Sequence, residues 1–295
     1  MPRCVVSSVG GGIAIKEGPV SISPKIPQPR RRLLAWTAAG AASLAVGTLA
    51  GCSDSSHASN GAAPEPSDSF SPDAPINPSA AAGLPSPTAT GTVAARTKPV
   101  FKVHDILPDA PSDAIALTID DGPSPLYTPQ LLALLRKYDI QATFNVIGSQ
   151  AHVHKDVIRQ IAADGHMVAN HTMTHPQPLS KRTKAQIEAE IANAQSVIVD
   201  AGAPTPTLFR SPGGDWSTEI FAATAKYGMI PIDWDVDPRD WSRPGVAQIT
   251  QKLMAARPGD ILLCHDGGGD RTQTLESLKT VLPALKAKGF TFVRL

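Results

Sequence analysis

The sequence predicts an α/β protein. The architecture it favours is a (β/α) barrel of about seven parallel strands, with an open doubly wound sheet as the alternative. Three observations lead there. From Val100 onward, short apolar runs alternate with amphipathic stretches, and repeated strand–helix units imply parallel pairing with helices covering the sheet. Residues 100–295 are enough for a small barrel. The unusual polar residues fall where the predicted strands end, and in a parallel barrel those ends open on one face.

The elements follow in order. Ile115–Ile119 is rich in strand formers and stops at Asp120-Asp121, where Gly122-Pro123 turns the chain. Tyr127–Tyr138 carries Leu131, Leu132, Leu134 and Leu135 at helical spacing. Ala142–Ile147 reads as a strand, His154–Ala163 as a helix stopped by Asp164-Gly165, and Met167–Asn170 as a strand. A long helix over Lys184–Ala201 stops at Gly202. Strands at Thr207–Arg210, Met229–Trp234, Asp260–His265 and Phe290–Leu295 then alternate with helices at Glu219–Tyr227, Val246–Ala256 and Thr274–Lys288. No Gly-x-Gly-x-x-Gly opens a helix after the first strand, and Gly267-Gly268-Gly269 lacks the lysine and hydroxyl of a phosphate loop. Both absences weigh against a nucleotide site.

The first hundred residues differ in kind. Arg30-Arg31-Arg32 precedes an uncharged run, Leu33 to Ala50, that ends in Leu49-Ala50-Gly51-Cys52. A cationic front, an apolar middle and small residues before a cut form an export pattern. Leu-Ala-Gly-Cys resembles a bacterial lipobox, with Cys52 as the lipidated residue, and the arginines resemble a twin-arginine signal with Pro29 in place of the usual hydroxyl residue. An uncleaved membrane anchor is the alternative. Residues 53–99 are dense in Pro, Ser, Ala, Gly and Thr and predict a disordered tether. The expected organisation is therefore a leader over 1–52, a tether over 53–99 and one folded domain over 100–295. It sits on the outer face of the cytoplasmic membrane through a lipid anchor, or is secreted. A net charge of +1 gives no sign of a nucleic-acid partner, and no protein partner is inferred. Cys4, Cys52 and Cys264 are too far apart to read as a disulfide or zinc framework, and Cys264 reads as buried core.

The chemistry concentrates at strand ends. Asp120 and Asp121 are adjacent like charges, which something must relieve unless they form an ordinary solvated turn. His171 and His175 lie four apart; on a helical turn they would share a face, as a bite for one metal ion or as a plain surface pair. Two histidines with an aspartate can hold Zn, Co, Mn or Fe and leave positions open. Asp233 and Asp235 could line a groove or only cap a loop, and Trp216 could stack on a ligand or simply pack.

Five short motifs occur in sequence: Thr118-Ile119-Asp120-Asp121-Gly122-Pro123, His171-Thr172-x-x-His175, Arg210-Ser211-Pro212-Gly213-Gly214, Asp237-Pro238-Arg239-Asp240-Trp241 and Leu263-Cys264-His265-Asp266. In that order they resemble the signatures of the polysaccharide deacetylases, the NodB-type domain of carbohydrate esterase family 4. The resemblance implies a deformed (β/α) barrel and metal-dependent removal of acetyl groups from an N-acetylated glycan. By position, Asp121, His171 and His175 would bind one divalent ion, zinc first, with cobalt, nickel or manganese as alternatives. Asp120 would be the general base, held by Arg210. His265 would be the general acid, oriented by Asp240. Trp241 and Leu263 would wall the acetyl pocket, and the backbone N–H of Gly213 would meet the oxyanion. Two positions depart from the family pattern: Ile119 replaces a common Phe, and Gly213 replaces a common aromatic, which opens the groove. Peptidoglycan is the leading substrate and chitin-type oligosaccharide the next. An O-acetyl esterase on xylan and a non-catalytic glycan-binding module are the rival readings.

Overall fold

A computed structural model describes residues 94–295. The leader, Cys52 and nearly all of the expected tether lie outside the described residues. No helix among the described residues is long and apolar enough to cross a membrane.

The sheet is built on β1 (Ala114–Asp120), every residue of which is buried. β2 (Thr143–Val146), β3 (Met167–Asn170), β4 (Leu208–Phe209) and β5 (Ile230–Pro231) extend it on one side. β6 (Ile261–His265) pairs with its other edge, and β7 (Thr291–Phe292) pairs with its first two residues. All these pairings are parallel. Seven helices occupy the crossovers: α1 (Thr128–Lys137), α2 (Gly148–Val153), α3 (Lys155–Ala163), α4 (Lys184–Asp200), α5 (Thr218–Lys226), α6 (Val246–Leu253) and α7 (Thr272–Ala287). α4 starts where a capping box should place it: Thr183 accepts from the Gln186 N–H, and the Gln186 side chain accepts from the Thr183 N–H. The main core runs from Ile115, Leu117 and Ile119 of β1 to Leu131 and Leu135 of α1, Ile158 and Ile161 of α3, and Leu278, Val281 and Leu285 of α7. With helices on the outside and a filled interior, β1 reads as a nearly continuous apolar run.

The barrel is deformed between β5 and β6. The expected strand Met229–Trp234 shortens to Ile230–Pro231. Pro231 brings no N–H to a ladder. Ile232 bridges to Val100, and the Asp233 N–H donates to the Val100 carbonyl rather than to a neighbouring strand. The gap is spanned by isolated bridges: Val236 to Leu262, in which the Leu263 N–H donates to the Val236 carbonyl at 2.9 Å, and Lys102 to Asp260.

Register decides what meets at the open end. Asp120 is level with Asn145 of β2 and with His265 of β6. Side chains level with one another on adjacent parallel strands share a face, so these three polar groups form one row.

Candidate active site

β1 ends at Asp120, and Asp121 turns out of the strand with φ 73°. Its Oδ1 lies 3.2 Å from Nε2 of His175 and 3.5 Å from Nε2 of His171. The ligand atoms of these three residues all fall within 4.8 Å of one another. Two ligands held about 2.0–2.1 Å from a tetrahedral ion lie roughly 3.3–3.4 Å apart, so the spacing fits a small divalent cation. The donor chemistry fits as well. The Nδ1–H of His171 donates to the Arg210 carbonyl at 2.8 Å, which leaves the Nε2 lone pair facing Asp121. Oδ1 of Asp121 is buried without a hydrogen-bond partner. Burial and the neighbouring His171 push His175 down to about 4, so its imidazole is neutral and free to ligate. Burial also pulls His171 down, but Asp120 and Asp121 outweigh it and raise the group. The carboxylates therefore favour positive charge at this point.

The two histidines do not sit on a helical turn, as their spacing suggested. Residues 171–175 form an irregular loop with Thr172 at φ 69° and His175 at φ 57°, and the two rings are 4.8 Å apart. Left-handed backbone at three non-glycine residues, Asp121, Thr172 and His175, concentrates strain around the cluster. Neighbours hold the loop in place. The N–H groups of Gly148 and Ser149 donate to the carbonyls of Thr172 and Met173, and Glu190 of α4 accepts from Thr174. Gly267 seats Asp121 from the other side. A Cβ there would lie 2.0 Å from the Asp121 carbonyl oxygen. Gly267→Ala is accordingly expected to displace Asp121 and weaken metal binding about 10- to 100-fold, as support residues around a metal do. Metal titration of the folded variant measures it, and unchanged affinity would contradict the packing.

Asp120 is buried beside the cluster. Its Oδ1 accepts from Arg210 Nη1 at 2.8 Å and from Asn145 Nδ2 at 2.6 Å, and its Oδ2 lies 3.8 Å from His171 Nε2. Arg210 is fully buried; it also donates to Thr118 Oγ1 at 2.7 Å and to the Asp233 carbonyl at 2.9 Å. On the neighbouring strand β6, His265 Nδ1 and Asp240 Oδ1 are 2.7 Å apart, while Asp240 Oδ2 accepts from the His265 N–H and from Thr274 Oγ1 at 2.8 Å each. Burial pulls the His265 imidazole down, but Asp240 outweighs it and raises the group to about 9. Nδ1–H is spent on Asp240, so Nε2 is the nitrogen left to face a substrate. The buried Asp120 carboxylate on β1 and the charged His265 imidazole on the neighbouring β6 thus lie level with each other, beside the Asp121–His171–His175 triad.

The remaining expected residues are placed as follows. Gly213 sits at φ 64° in a 3-10 turn that follows β4, with the Gln177 side chain 3.4 Å from where its Cβ would be. Leu263 is buried in β6, two residues before His265. Trp241, next to Asp240, is 47% exposed and carries the Arg239 guanidinium 4.9 Å from its ring centroid. Trp216 packs rather than offering a sugar platform: it stacks on Phe221 at 5.1 Å, meets Phe209 edge-on and donates its indole N–H to Asp233. Asp233 is buried beneath the loop, where desolvation raises it to about 6. Asp235 pairs with Lys102 at 2.8 Å, which also holds Asp260. Cys264 is fully buried, and burial raises its thiol well above the usual range. Asn145 escaped the sequence reading. The available signal was an amide inside an otherwise apolar buried strand.

The polysaccharide deacetylase family matches residues 108–232. A chitooligosaccharide deacetylase from Rhizobium leguminosarum bv. trifolii is 41% identical over 189 residues, which cover 60% of this chain and 87% of that protein. A peptidoglycan-N-acetylglucosamine deacetylase from Bacillus cereus is 41% identical over 182 residues, covering 61% and 84%. Among solved structures, a family 4 carbohydrate esterase from Streptomyces lividans in complex with acetate superposes with a TM-score of 0.58 at 34% identity. That match covers 62% of this chain and 93% of that one.

Proposed function

The chain belongs to the polysaccharide deacetylase family and is a glycan deacetylase, and on that premise we propose that it hydrolyses N-acetyl groups of N-acetylglucosamine in peptidoglycan, with chitin-type oligosaccharide as the second substrate. The observation that carries the reading is the pairing of Asp120 with His265–Asp240 on adjacent strands beside the Asp121–His171–His175 triad. An amide needs both a base for the attacking water and an acid for the departing nitrogen.

Asp121, His171 and His175 hold the divalent cation. When bound, it supplies Lewis acidity, acidifying water and polarising the acetyl carbonyl. Asp120 accepts the proton of the attacking water at Oδ2, because Arg210 and Asn145 occupy Oδ1. The N–H of Gly213 donates to the developing oxyanion. His265 gives its Nε2 proton to the amine nitrogen, and Asp240 keeps the imidazole oriented and charged. Trp241 and Leu263 bound the acetyl methyl, and the missing side chain at Gly213 leaves the groove wide enough for a polymer.

The test is acetate release from peptidoglycan, N-acetylglucosamine oligomers and acetylated xylan. Chelation is expected to abolish release, and zinc or cobalt to restore it. No release from any N-acetylated substrate would reject the reading; release from xylan alone would favour the esterase. Export and anchoring through Cys52 rest on the leader sequence alone. Cys52→Ala is expected to move the protein out of the membrane fraction, and an unchanged distribution would count against lipidation.

A further inference from the structure

The geometry points to Asn145 as a positioning residue for the general base, an inference that rests on the assignment of Asp120 above. Asn145 lies in the middle of β2, fully buried and level with Asp120 across the parallel ladder. Its Nδ2 donates to Asp120 Oδ1 at 2.6 Å, shorter than the 2.8 Å bond from Arg210 to the same oxygen. The orientation of the amide is chemically determined, because the flipped form would set its carbonyl oxygen against a carboxylate.

Two donors from different strands converge on one oxygen. Arg210 follows β4 and Asn145 belongs to β2. Together they fix both the plane and the roll of the carboxylate, which one donor alone cannot do. Among the described residues Oδ2 receives no hydrogen bond, and it faces Nε2 of His171 at 3.8 Å. Oδ2 is thereby the basic oxygen, aimed at the cation-binding triad.

The arrangement is poor for packing. Asn145 Oδ1 is buried with no partner. A buried acceptor left unsatisfied destabilises the fold, and an apolar side chain of similar volume would avoid that loss. Phe144 and Val146 of β2 pack in the main core, while Asn145 shares the opposite face with the buried Thr143. A position that costs stability while orienting a reacting group is the usual trade between stability and activity.

The test compares Asn145→Leu and Asn145→Ala with wild type on an N-acetylglucosamine oligomer, each protein loaded with zinc. Leucine keeps the count and branching of heavy atoms without a donor; alanine removes the donor with little risk of overpacking. Expected in both is a fall in kcat of about 10- to 100-fold, the scale for a misaligned reacting group. KM should stay within about twofold and bound zinc should be unchanged. Both variants should remain folded at the assay temperature, as thermal denaturation checks. Wild-type kcat in both variants would overturn the proposal. So would a loss of kcat that tracks lowered Tm or lost zinc in both. An inactive wild type would instead reject the assignment of Asp120.

Discussion

Asp120→Asn is expected to lower kcat for acetate release by about 10²- to 10⁴-fold, the usual contribution of a general base. The substitution keeps the shape of the side chain and leaves Asp121, His171 and His175 untouched, so bound metal should persist and KM should change little. It also has a cost in stability. Arg210 is fully buried and its side-chain ion pair is with Asp120 at 2.8 Å. Removing one partner of a buried pair strands the other charge and typically costs about 3–5 kcal/mol. Activity must therefore be measured per folded, metal-loaded molecule, with thermal denaturation run beside it. Near-wild-type turnover in such a preparation would remove Asp120 from the mechanism.

His265→Ala is expected to have an effect of similar size, about 10²- to 10⁴-fold in kcat, but only where the leaving group needs a proton. An N-acetyl amide must be protonated at nitrogen. An aryl acetate expels a stable phenoxide and should lose less than about tenfold. Equal losses on both substrates would mean that His265 does something other than acid catalysis. The pH dependence gives an independent check. His265 holds its proton below about 9, so an acid function is lost as pH rises through that value. Asp240→Asn removes the partner that outweighs burial; burial remains and lowers the imidazole. The alkaline fall in kcat should then move to lower pH by about a unit or more. A fall-off that stays in place would reject the coupling between Asp240 and His265.

Much of this was legible in the linear chain because helices and strands leave different periods. Met167–Asn170 and the start of α4 at Lys184 are found where apolar pattern and capping chemistry put them. β4, β5 and β7 are two residues each, shorter than their apolar runs, because strand length depends on a neighbour offering partners in register. The short helix α2 went unread, since six residues with one glycine at the start carry too little periodicity.

At the site, residue types and their places near strand ends could be read directly. Spacing alone suggested a helical bite for His171 and His175, but the backbone there passes through left-handed conformations that a four-residue interval cannot reveal. Sequence left Trp216 and Asp233 open between a ligand contact and a packing or capping role, and the fold pairs them with each other.

The adjacent carboxylates show where the division falls. Sequence determined that two like charges stand at the end of a buried strand, because hydrophobic pattern and turn chemistry are local. Only the tertiary structure decided that they differ. Asp121 leaves the strand toward two imidazoles, while Asp120 stays in it, held by Asn145 and Arg210 from other strands. That distinction comes from the parallel sheet, which brings Asp120 together with Arg210, 90 positions on, and level with His265, farther still along the chain.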